Sequence, residues 1–249
     1  MITARISLGA RRNPRIREVA RLPGESNAAW IARVLPEDGD GARILLLGGA
    51  SLPHFRLRTA QSHVRSDLMP SFWSHAAVLL PGEAPTIFQV GLEVGLALHE
   101  VPARNAISEV TVAHFDDAAH FPNLALLRFP GADAATVREG VGHLRLSRLS
   151  EDLVSPLVRW LGYVWGAKGA TNPLLDGVAL PGAALVDAAF AFASVDIVPS
   201  VSSRAACPEA IWQAALWWSG YYAGDTTDDA SAVPAGAYVI GQAAASVVE

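Results

Sequence analysis

From Ser74 to Leu92 the chain reads SHAAVLLPGEAPTIFQVGL, two apolar runs separated by the turn-forming PGEAP. Apolar runs of that length, broken by Pro and Gly, predict two β-strands joined as an antiparallel hairpin. The hairpin needs a sheet around it, and candidate strands lie on both sides. ARILLLGG has the length and bounding glycines of a buried strand. HFRLRTA alternates Phe55, Leu57 and Thr59 with Arg56 and Arg58, the period of a strand with one wet face. GLALHEVP extends the hairpin into a third strand, FPNLALLRFP reads as another, and AGAYVIGQAAASVV as a final one.

Helical spacing takes over after residue 130. ADAATVREGVGHLRLSRLSEDLVSPLVRWLGYVWG suggests one or two helices, PGAALVDAAFAFAS another, and CPEAIWQAALWWSGYY another. Strands first and helices later, without strict alternation, predict an α+β fold with an antiparallel sheet packed against helices. Residues 1–40 are rich in Arg, Gly and Pro and end in the turn cluster PEDGDG. They are read as an N-terminal extension to a core domain spanning 41–249.

Composition excludes several classes. With 51% hydrophobic and 17% charged residues the chain can bury a large core. A formal charge of -5 offers no basic field for phosphate backbones, so nucleic acid is not an expected partner. The apolar stretch Val178–Val198 is interrupted by Pro181, Gly182, Asp187 and Asp196, which predicts a core helix rather than a membrane span. The basic N-terminus lacks the apolar core and cleavage site of a secretory signal. One cysteine makes no internal disulfide and too few thiols for a zinc finger, so the expected setting is the reducing cytoplasm, with a delivered effector left open. There is no G-x-S-x-G, H-E-x-x-H or P-loop, and the acidic DTTDD at 225–229 reads as a solvated loop. No metal or organic cofactor is expected.

The single thiol, Cys207, stands directly before Pro208. Proline favours the first helical position, which makes Cys207 the expected N-cap of the following helix. The helix dipole and free N–H groups there favour a thiolate, while Glu209 opposes it. A lone cysteine is also a common buried hydrophobe. Of seven histidines, His75 has the distinctive context, opening an apolar strand after the aromatic loop PSFW. Trp73 and Ser74 directly precede it, and with Arg56 and Arg58 they are candidate substrate-binding residues. With Arg65 and Asp67 of the same segment, these arginines would hold an anionic group, or else form a solvated strand face with an Arg–Asp pair. Gln61 and Ser62 are candidate oxyanion donors. Trp212, Trp217 and Trp218 are read as core, with Trp217 or Trp218 at a rim.

WSHAAVLL, PGEAPTIFQV and CPEAIWQAAL together resemble the circularly permuted branch of the NlpC/P60 and papain-like superfamily. Its members carry a short SH before an apolar strand, then a second strand with a polar residue, and much later a CSEL-like helix start. The resemblance spans about residues 40–220. It implies a permuted papain-like fold, Cys207 as nucleophile, His75 as general base and Gln89 as the residue orienting the imidazole. It also implies a cysteine-dependent hydrolase or acyltransferase acting on a peptide-like or acyl substrate. Relatives usually have Glu, His or Asn at the position of Gln89, and often Ser at that of Pro208. Those two differences motivate the alternative, an inactive papain-like domain that binds a peptide or protein partner.

Overall fold

Four strands carry almost nothing but apolar side chains where they run through the centre of the molecule, and the structure shows why. Both faces of the sheet are covered, so consecutive side chains, which point to opposite faces, must all be apolar. The structure is a computed structural model that describes residues 15–35, 41–92, 107–146, 150–199, 206–221 and 233–241. Its strands are β1 (Ile16–Glu18), β2 (Arg43–Gly48), β3 (His75–Leu80), β4 (Thr86–Val90), β5 (Ile107–Thr111), β6 (Asn123–Arg128) and β7 (Ala235–Val239). They form one open sheet in the order β1-β7-β6-β2-β3-β4-β5. Every pairing is antiparallel except β1 with β7.

The helices are α1 (Asn27–Val34), α2 (Leu52–Ala60), α3 (Ala134–Leu146), α4 (Ser150–Val164), α5 (Pro181–Phe192) and α6 (Pro208–Tyr221). Five of them contribute to one core. Ile44, Leu46, Ala76, Val78, Phe88, Ala125 and Leu127 face Trp160, Phe190, Trp212 and their neighbours. The alternate residues Leu45, Leu47, Ala77, Leu79, Ile87, Leu124 and Leu126 face a thinner layer made by Trp30, Ile31 and Val34 of α1 with Phe115 and Phe121. The fold is thus α+β, with six helices and a seven-stranded, mostly antiparallel open sheet among the described residues.

Most expected elements stand where the pattern put them, with two differences. HFRLRTA is not a strand but most of α2. Pro53 sits in its first turn, and His54, Leu57 and Arg58 are buried at spacings of three and four rather than two. Proline is compatible with that position, and a nine-residue segment can satisfy both periods by accident. The segment read as an N-terminal extension supplies, in its described part, the parallel edge strand β1 and the helix α1, whose Trp30 is fully buried. GLALHEVP and DTTDD lie outside the described residues. β5 pairs with β4 on the side where the third strand was expected.

α5 and α6 begin near one another and end near one another, so they point the same way. At their starts the Leu180 N–H donates to Ala206 O at 2.9 Å, and at their far ends Ser194 and Trp218 share a cavity. Gly182 lets α5 approach the sheet: a Cβ there would come within 2.5 Å of Ala76 O.

Candidate functional site

The starts of α5 and α6 meet the sheet at the end where β3 and β6 begin and β2 finishes. His75 opens β3, is paired with Leu47, and is buried. Its ring packs on Phe115, with centroids 5.9 Å apart, and its Cε1 lies 3.4 Å from where a Gly182 side chain would begin. Cys207 directly follows Ala206, the residue bonded to the start of α5, and its carbonyl accepts from the Ile211 N–H at 3.2 Å, the first bond of α6. Cys207 and His75 therefore flank the same helix start, separated by the Leu180–Gly182 corner. The thiol belongs to the core on the helix-rich face, and the imidazole stands at the sheet rim.

The thiol does not carry the lowered pKa expected of a helix N-cap. Cys207 is fully buried, and that burial, with the Glu209 charge adding to it, pushes the thiol up to about 12. The Ala210 and Glu209 N–H groups pull the other way, and burial wins. In this state the sulfur is protonated across the physiological range.

Gln89 is buried, but its amide nitrogen lies 3.3 Å from His114 Nε2. The hydrogen-bonded register of the hairpin runs from Leu80–Thr86 to Val78–Phe88, while Gln89 and Val90 are paired with Ser108 and Ile107 of β5. At this end of the sheet β4 is tied to β5. His114 and Phe115 follow β5 directly, so Gln89, His114, Phe115 and His75 form one row of side chains, with the His114 and Phe115 rings 4.8 Å apart.

The other candidates hold the framework. Ser74 Oγ accepts from the Gly49 N–H at 3.0 Å and donates to Leu47 O at 3.2 Å, clasping β3 to the end of β2. Trp73 is fully buried against Trp212, with centroids 5.0 Å apart. Arg56 donates to Val164 O at 2.8 Å, at the end of α4. Arg58 donates to Ser71 O at 2.6 Å, and burial, with Arg65 nearby, lowers its pKa. Gln61 is likewise committed: its amide donates to Leu57 O and Trp73 O, and its carbonyl accepts the Glu209 N–H at 2.8 Å. The expected Arg–Asp pair exists as Arg65 with Asp67, two bonds at 2.8 and 2.5 Å that depress the Asp67 carboxyl to about 2.

Glu209, expected only to oppose the thiolate, also holds the framework of the site. Its carboxylate is fully buried, accepts from Ser71 Oγ at 2.6 Å and Gln213 Nε2 at 2.7 Å, and faces Arg65 at 3.5 Å. Burial raises its pKa against those partners. It ties the helix that begins beside Cys207 to the 61–73 loop that leads into His75. One signal was available: Glu209 falls on the same helical stripe as Trp212, Ala215 and Ser219, all buried.

Among the described residues there is no group of three His, Cys, Asp or Glu side chains able to hold a metal ion, and no helix long and apolar enough to cross a membrane. The class that the fold itself defines is an α+β protein with a mostly antiparallel open sheet and a cysteine opening one of its core helices. No protein-family model, curated protein or solved structure matches the chain.

Proposed function

We propose that the chain is a cysteine-dependent hydrolase or acyltransferase of permuted papain-like architecture, acting on an amide or ester carbonyl. The observation that carries this reading is that Cys207 at the start of α6 and His75 at the start of β3 flank one corner, the Leu180–Gly182 turn into α5. In the reaction His75 takes the Sγ proton as the sulfur attacks the carbonyl carbon, and the resulting oxyanion faces the N-terminal N–H groups of α6. Collapse breaks the bond to the amine or alcohol, which leaves with the proton from His75. Water, or another acceptor, then gives a proton to His75 and attacks the thioacyl carbon, releasing the acyl group and restoring the thiol. Because the resting thiol is held neutral, proton transfer belongs to the substrate-bound state.

One observation favours the alternative, an inactive domain of the same architecture that binds a peptide or protein: Cys207 is fully buried and its thiol strongly protonated. A panel of p-nitrophenyl esters and peptide amides separates the two. The catalytic reading expects turnover of at least one compound, an acyl adduct on Cys207 by mass spectrometry, and a loss of roughly a thousandfold or more in Cys207→Ser and His75→Ala. No turnover across the panel, with slow iodoacetamide labelling of Cys207 that His75→Ala leaves unchanged, would overturn it.

A further inference from the structure

The far ends of α5 and α6 hold a concave site that the catalytic reading does not use. Phe129, Gly131, Ser194, Asp196, Trp218 and Pro234 are among the residues enclosing an open cavity of about 320 Å³. Small-molecule sites begin at roughly that volume. The chain turns sharply into it: Ser194 takes the left-handed conformation, φ 60°, so that its own N–H bonds Ala191 O at 2.9 Å and the Val195 N–H bonds Phe190 O at 3.0 Å.

Asp196 lines the cavity, and no Lys, Arg or His is among the described lining residues. A second carboxyl, Asp187 on α5, has its pKa raised by burial and, to a lesser extent, by the charge of Asp196. Both helices present the C-terminal, negative end of their dipoles here. Trp218 is among the lining residues, its ring edge-to-face with that of Trp217 at 4.6 Å, and Trp217 stacks on Tyr221 at 5.2 Å, Trp217 and Tyr221 being exposed. Aromatic faces are negative as well, so phosphates and carboxylates are repelled. A hard metal ion wants six or more oxygen ligands, which one lining carboxylate and one hydroxyl do not supply.

We propose that this cavity binds a small organic ammonium ion, with Trp218 taking its alkyl-substituted head by cation–π contact and Asp196 balancing its charge. The test compares choline with its uncharged isostere 3,3-dimethylbutan-1-ol on the full chain, by calorimetry and by the Trp218 indole resonance. Choline is expected to bind at least tenfold more tightly than the alcohol and to shift that resonance. Asp196→Asn should cut the preference severalfold, leaving the part due to Trp218, and Trp218→Phe should weaken choline severalfold. Equal binding of the two ligands, or no saturable choline binding, overturns the proposal. So does an Asp196→Asn protein that retains the full preference. If Asp196→Asn fails to fold by circular dichroism, Trp218→Phe decides: an unchanged choline affinity overturns the proposal and a weakened one supports it.

Discussion

The two ends of the α5–α6 pair differ in how they treat charge. At the start, the dipoles are positive, yet the structure places there a buried carboxylate, Glu209, and a buried neutral thiol, Cys207, inside a closely bonded framework. At the far end the dipoles are negative and the Asp196 carboxylate lines an open cavity. Parallel helices add their dipoles instead of cancelling them, so each end carries a stronger field than one helix would. The difference teaches that field and burial act separately: a favourable dipole does not produce a thiolate when desolvation exceeds it.

The largest break expected in that comparison is at Glu209. Glu209→Ala removes the acceptor for Ser71 and Gln213 and leaves Arg65 with Asp67 alone, so urea denaturation should show a loss of about 2–4 kcal/mol. Glu209→Gln, which keeps the shape and can still accept from Ser71, should lose less than half as much. Equal losses would mean that the charge itself, not the hydrogen-bonded shape, holds the loop.

The thiol offers the next contrast. A cysteine whose folded pKa is raised contributes stability that is full below its unfolded value, roughly 8.5. That stability is lost as pH rises from there toward about 12, because the unfolded chain releases the proton first. Stability should fall by up to about 1.4 kcal/mol per pH unit above that point, and Cys207→Ala should flatten the slope even though it lowers stability overall. An unchanged slope would mean that the thiol is more solvated than its burial indicates.

The smallest effect belongs to the far end. Ser194 occupies the left-handed position that glycine fills at little cost, so Ser194→Gly should stabilise the protein by about 1 kcal/mol in thermal unfolding. It should also leave the alkaline slope set by Cys207 untouched.

The central strands and the α5 and α6 helices were legible because double-sided burial writes a continuous apolar run and an amphipathic or apolar helix writes its own spacing. α2 was not, since its arginines are spent on backbone carbonyls of other segments, Val164 and Ser71, and so mimic the wet face of a strand. β1 was not, since three residues are too few for any period and its partner lies more than two hundred positions away. At the candidate site the sequence marked Cys207 and His75 as special. It did not reveal that Gln89 is tied to His114, because the side on which β4 finds its partner is a property of the sheet and not of TIFQV. The roles of Ser74, Gln61 and Glu209 depend on contacts across loops, which residue type alone does not encode.

The pairing of β1 with β7 also sets a schedule for biosynthesis. During translation β1 emerges more than two hundred residues ahead of the strand it must lie beside, and β7 is itself needed between β1 and β6. Until then Ile16 and the α1 residues Trp30 and Ile31 have only part of their final apolar surroundings. Such long-range closure slows folding and exposes adhesive surface meanwhile, which makes this seam the place where a nascent chain has most need of a chaperone.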